Sequence, residues 1–182
     1  MFSLLKTDYK KYKKYGGNFF SIIFFTQGFW AIFQYRFAST IYQSKLPNFL
    51  KKVLLFICLI WQKIIEITTG ISIPASARIG HSFYIGHFGN IIFNANTIIG
   101  NNCNVSQGVT FGVSGTNERR GAPTLMNNVY IGANAVIAGK ILIGNNVVVG
   151  ANSLVNRSVE DNSVVVGVPA KVIKNIEKNP YI

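Results

Sequence analysis

Residues 125–155 read LMNNVYIGANAVIAGKILIGNNVVVGANSLV, with an aliphatic residue at every sixth place: Leu125, Ile131, Ile137, Ile143, Val149 and Val155. The same count runs upstream through Ile73, Ile79, Ile85 and Ile91 and, after a two-residue slip, through Ile99, Val105 and Phe111. A glycine often follows, as in Ile79-Gly80, Ile99-Gly100, Ile131-Gly132 and Ile143-Gly144. Neither an α-helix nor an ordinary strand repeats at six, so the period describes a larger unit: a parallel β-solenoid, in which three hexads make one triangular coil. The aliphatic residue points inward and the small one sits at the bend. Coils stack at roughly 4.8 Å, so one hexad buries nothing and the stack buries a continuous core. The pattern predicts a mainly β chain: a left-handed parallel β-helix over residues 71–168, an α-helical extension over 1–70, and a tail over 169–182 carrying a short helix.

The extension holds the charge. Ten of the 18 Lys and Arg residues lie in residues 1–70, opposed there only by Asp8 and Glu66, and the whole chain carries +12. The densest cluster is Lys6, Lys10, Lys11, Lys13 and Lys14, interleaved with Tyr9, Tyr12 and Tyr15. A solvated helix face and contact with the anionic inner face of a membrane are both consistent with it. Nothing else suggests a nucleic-acid module. Two helical stripes follow, Trp30, Phe33, Phe37, Ile41 and Leu54, Cys58, Trp61, Ile65, separated by Pro47. The apolar runs Phe19–Phe33 and Val53–Trp61 fall short of the ~18–20 residues a membrane span needs. The second helix is nonetheless apolar nearly all round in its middle, as expected where a helix is covered by a partner or touches lipid. Its expected role is to cap the amino-terminal end of the solenoid. Cys58 and Cys103 form no disulfide or zinc spacing, which points to a reducing cytoplasm.

Only two histidines exist, His81 and His87. A neutral imidazole is the usual base for removing a hydroxyl proton near neutral pH. His87 sits between Gly86 and Phe88-Gly89, where small neighbours let another molecule approach, and it is the stronger candidate. The second feature is a break in the count over residues 112–124, GVSGTNERRGAPT. A solenoid ejects such insertions as loops, often on the binding face.

Three blocks, Ile79-Gly80-His81 through His87, Asn104 through Gly112, and Gly167-Val168-Pro169-Ala170-Lys171, resemble the serine acetyltransferase branch of the hexapeptide acyltransferases over roughly residues 71–174. The resemblance implies a homotrimer, acetyl-CoA lying along the groove between adjacent solenoids, no metal, and a general base at His87. It further implies pantetheine contacts at Ala133 and Ala151, and groups near the nucleotide end at Asn156, Arg157 and Lys171. An oxyanion donor is expected at the Gly112 backbone. His81, Glu118 and Arg120 are the candidate acceptor contacts, and a backbone carbonyl is the expected partner holding the His87 ring. Cys103 is expected to be a core residue.

The chain also departs from that branch. Where the branch carries Arg-His-Pro to hold the serine carboxylate, this chain reads Gly121-Ala122-Pro123; where it carries acids, this chain reads Gly86 and Ser72. Leaving an acceptor's charges unanswered costs on the order of 1–3 kcal/mol each. The expected acceptor is therefore a carbohydrate, a sugar hydroxyl in a capsular or other bacterial surface polysaccharide. Serine, a xenobiotic hydroxyl and a non-catalytic trimeric scaffold are the alternatives.

Overall fold

Four helices precede the first coil in the computed structural model, which describes residues 1–182 apart from the Arg119 side chain. They are α1 (Phe2–Lys14), α2 (Phe19–Phe25), α3 (Gln27–Gln43) and α4 (Asn48–Thr69). The Asn18 side chain caps α2 by accepting from the Ser21 N–H, while Ser21 Oγ accepts from the Asn18 N–H. Gly70 ends α4 at φ +68, a left-handed conformation in which a side chain would also crowd the Asn90 nitrogen.

The solenoid then runs as short parallel strands on three faces. Face A stacks β1 (Ile71–Ser72), β4 (Ile91–Phe93), β7 (Thr110–Gly112), β10 (Val136–Ala138) and β13 (Leu154–Val155). Face B stacks β2 (Arg78–Ile79), β5 (Ile98–Ile99), β8 (Thr124–Leu125) and β11 (Leu142–Ile143). Face C stacks β3 (Tyr84–Ile85), β6 (Asn104–Val105), β9 (Tyr130–Ile131), β12 (Val148–Val149) and β14 (Ser163–Gly167), with β15 (Ala170–Asn175) added antiparallel. Register shows the period directly: Ile131 pairs with Val149, while Ile79 pairs with Ile99 across the two-residue slip. Every hexad residue from Ile73 to Val155 is buried. The left-handed parallel β-helix with an α-helical extension is therefore the fold.

The bends follow from the sequence. Asn102, Asn128, Asn146 and Asn162 all take φ near +60 on the corner between faces B and C, a region that asparagine tolerates better than most residues. At Gly132 a Cβ would come within 2.6 Å of the Ala151 nitrogen on the next coil, so only glycine lets the coils approach.

The helices do cap the stack, and side chains do the capping. Tyr35 Oη donates to the Ala77 carbonyl at 2.8 Å and accepts from the Ile79 N–H; Tyr12 Oη does the same for Ile85. Asp8 accepts the Phe83 N–H at 2.8 Å, and Arg36 donates to the Ile79 and Gly80 carbonyls. The first coil's open edge is thus satisfied group by group, and Tyr12, Ile22, Ile32 and Tyr35 join the buried cluster of the solenoid.

Lys11 does not belong to a solvated basic face. It is buried, donates to Asn102 Oδ1 at 2.8 Å, and burial pushes its ammonium down to about 8 from the ordinary 10.5. A lysine whose folded value is depressed binds fewer protons folded than unfolded, so its cost fades as pH rises between those two values. The wild type should gain about 2–3 kcal/mol relative to Lys11→Met between pH 8 and 10.5. Denaturant melts of both proteins across that window check it; parallel pH curves would refute it.

The tail differs from expectation. Residues 170–175 form β15 and no helix occurs in 169–182. Val172 and Ile173 are β-branched, and the free edge of β14 offers a ladder that a short isolated helix does not.

Candidate active site

Three corners divide the sequence candidates. The corner from face C to face A carries His87 at its base, then Ala133 and Ala151 in later coils, and Lys171 where β15 begins. The turns are tied coil to coil: Gly89 N–H to the Thr69 carbonyl at 2.8 Å, Gly108 N–H to Gly89, Asn134 N–H to Gln107, and Asn152 N–H to Ala133. From β3 to β15 there are five inter-strand steps, about 24 Å at roughly 4.8 Å each. Ala133 is half-buried and Ala151 exposed, and neither backbone N–H has a backbone acceptor among the described residues. An extended thioester fits such an edge. His87 lies at one end, two free N–H groups lie along it, and the exposed Lys171 ammonium lies at the other end.

The corner from face A to face B carries the rest. Gly112, Asn156, Arg157 and the loop with Glu118 and Arg120 all lie there, across face A from His87 and in later coils. The loop is a closed hairpin: Ser114 and Gly121 exchange both backbone hydrogen bonds at 3.2 Å, and Lys140 Nζ donates to the Glu118 carbonyl. Within one chain it does not reach His87. His81 stands on the third corner, exposed, its Nδ1 3.0 Å from Ser82 Oγ, at the foot of a ladder formed by Asn101, Asn127, Asn145 and Asp161. The structure therefore separates His81 from His87.

The His87 ring is exposed and has no hydrogen-bond partner among the described residues, so the expected backbone carbonyl is not supplied within the chain. An acid does return near Ser72, from a helix: Ser72 Oγ donates to Glu66 Oε1 at 2.6 Å. Burial alone would push the Glu66 carboxyl up, but the hydrogen bonds from Lys63, Ser72 and Gln62 together hold it below its ordinary value. Cys103 is fully buried, and burial raises its thiol to about 11, a core residue rather than a nucleophile.

Sequence reasoning missed the pocket beside His87. A cavity of about 450 Å³ opens there, and its walls include Lys14, Tyr84, Asn104, Ser106, Tyr130 and Tyr181. The chain's own tail forms part of it. Tyr181 stacks on Tyr130 at 4.5 Å, and its carbonyl accepts from Tyr15 Oη and Asn104 Nδ2. Asn179 fixes the tail by donating to the Asn128 and Val147 carbonyls. Asn104 is 4 % exposed; its Nδ2 donates to Tyr15 Oη and the Tyr181 carbonyl, and its buried Oδ1 accepts nothing. The available signal was Asn104 itself, a polar residue where neighbouring strands place Tyr84 and Tyr130.

Residues 122–157 match the family model described as bacterial transferase hexapeptide (six repeats). A serine acetyltransferase of Synechococcus elongatus is 34 % identical over 146 residues, 80 % of this chain and 57 % of that protein. The Bacillus subtilis serine acetyltransferase is 32 % identical over 156 residues, 86 % of this chain and 68 % of that protein. Among solved structures, the Neisseria gonorrhoeae serine acetyltransferase superposes with a TM-score of 0.84 at 29 % identity, covering 98 % of this chain and 67 % of that one. A serine acetyltransferase complex with CoA gives 0.79 at 26 % identity, covering 94 % and 68 %. The chain thus spans 57 to 68 % of the length of these proteins.

These relatives overturn the surface-polysaccharide reading, because they are named for serine and not for a carbohydrate acceptor. The physical error lay in judging acceptor charge from the loop alone. The pocket beside His87 is lined by a cation, Lys14 of α1, remote in sequence from Gly121 and Ala122.

Proposed function

The chain belongs to the hexapeptide-repeat acyltransferases, and from that premise we propose that it transfers the acetyl group of acetyl-CoA to the hydroxyl of serine. The observation that carries the reading is the edge joining His87, Ala133, Ala151 and Lys171, in a chain whose relatives at 32–34 % identity are named serine acetyltransferases. A serine hydroxyl hydrogen-bonded to His87 gives up its proton to the ring as its oxygen attacks the thioester carbon. The ring returns that proton to the departing sulfur, so no covalent enzyme intermediate forms.

Serine's carboxylate is answered from the pocket, where Lys14 takes it. This replaces the loop cation and histidine whose places hold Gly121 and Ala122. The assembly is a homotrimer. His87 and the group Gly112, Glu118, Arg120, Asn156 and Arg157 occupy opposite edges of face A, and only a neighbouring copy brings one edge against the other. In that seam the neighbour's Gly112 backbone and Arg157 approach the thioester and the phosphates.

Lys14→Met should raise KM for serine roughly tenfold or more while kcat stays within about twofold, since the contact binds ground and transition states alike. Steady-state thiol release with acetyl-CoA checks it. If the wild type binds acetyl-CoA in calorimetry yet releases no CoA with millimolar serine, the serine reading falls.

A further inference from the structure

The helical cap carries an apolar surface that the acyl-transfer site does not use. On α4, Phe49, Val53, Phe56, Ile60, Ile64 and Ile67 fall on one stripe at 100° per residue, and all six are exposed, Ile67 to 84 %. The stripe adjoins a wholly apolar groove of about 270 Å³ where α2, α3 and α4 converge, lined by residues including Ile23, Trp30, Phe33 and Trp61. Beside the groove, α2 exposes Phe20 and Phe25 to 69 % and 76 %. Scattered apolar residues on a surface need no explanation, but a continuous face of this kind marks an interaction site.

Charge decides between occupants. Lys52 and Lys63 border the α4 stripe on one side by the same helical count. On the α3–α4 segment Lys63 is paired with Glu66, while Lys45, Lys51 and Lys52 have no acidic partner among the described residues. A second copy meeting this face would bring like charges together; an anionic surface would answer them. Among the described residues no helix is long and apolar enough to cross a membrane. A helix with one apolar stripe and lysines at its margin lies flat at the headgroup boundary instead.

We propose that the face formed by α2, α3 and α4 docks on an anionic lipid bilayer, with the α4 stripe immersed and the groove taking acyl chain. The docking holds the solenoid and its His87 edge beside the membrane surface, and it stands or falls independently of the acceptor.

The test uses the full chain sedimented with vesicles of phosphatidylcholine alone or with about a third phosphatidylglycerol, without acetyl donor. Wild type should partition into the anionic vesicles about tenfold or more over the neutral ones, and Ile60→Asp/Ile64→Asp should lose about tenfold of that binding. The double variant should keep acetyl transfer within about twofold, since neither residue touches the site and both face solvent. No partition of wild type into anionic vesicles overturns the proposal, as does equal partition by the double variant. A mass that rises with concentration and falls in the double variant, without vesicle binding, assigns the face to a second copy and also overturns it.

Discussion

His87→Ala should lower kcat for acetyl transfer by about 10²- to 10⁴-fold and leave the thermal midpoint unchanged. The size follows from removing the one group on the acyl-transfer edge able to take a hydroxyl proton near neutral pH. The absence of a folding penalty follows from its place. The ring is exposed and holds no hydrogen bond within the chain, so alanine opens no cavity and orphans no partner. His81→Ala serves as the comparison, because His81 stands on another corner against Ser82 and should retain transfer within about threefold if the corners are as separate as the topology makes them. Thiol release alongside a thermal melt reads both. A His87→Ala protein that keeps more than about a tenth of wild-type kcat sinks the assignment of His87 as base.

The largest effect on stability should come from Arg36→Met. Arg36 is 2 % exposed and Asp8 0 %, with Nε 2.9 Å from Asp8 Oδ2 and the guanidinium also donating to the Ile79 and Gly80 carbonyls. Removing it leaves a buried carboxylate and two edge carbonyls without their donor. Breaking a buried pair from one side costs about 3–5 kcal/mol, a large part of the 5–15 kcal/mol that holds a typical chain folded. For a chain of this size the midpoint should fall by about 6–20 °C. Burial already pushes the Asp8 carboxyl up, and Arg36 pulls it back. In the variant the Phe83 N–H still opposes burial but the guanidinium does not, so Asp8 takes a proton more readily and the deficit should shrink as pH falls. Asp8→Asn/Arg36→Met should be more stable than Arg36→Met alone, since no charge is then stranded. A midpoint loss below about 3 °C, or a deficit that grows on acidification, would show that the pair is not an essential part of the cap.

The solenoid was legible because its rule is local and repeated. A period of six with inward aliphatic residues admits one packing, and the sixth-place residues from Ile73 to Val155 are buried as that period requires. The cap was legible as helices but not as a cap of paired groups. Asp8 reads as a stray acid among lysines, and only the fold shows it between Arg36 and the Phe83 N–H. Lys11 was counted with a solvated cluster for the same reason. It lies one helical turn from equally basic neighbours, and only the position of Asn102 makes it the buried member. His87 stood out from residue type and flanking glycines. The pocket beside it did not, because its walls come from α1, three solenoid strands and the tail, and no spacing joins residues 14, 104 and 181. The tail itself was misread, since a short segment takes its conformation from the edge it meets.

That edge sets the length of the object. A stack of parallel coils has no intrinsic end; each finished turn offers the next chain the same template, and copies laid head to foot make a filament. Here face C runs into β15, whose direction is reversed and whose outer row carries Lys171, Lys174 and Asn175, while the first coil is closed by Tyr12, Tyr35 and Arg36. Reversed polarity and lysines discourage further strand addition. Face C and the first coil therefore present no free parallel template to a further copy.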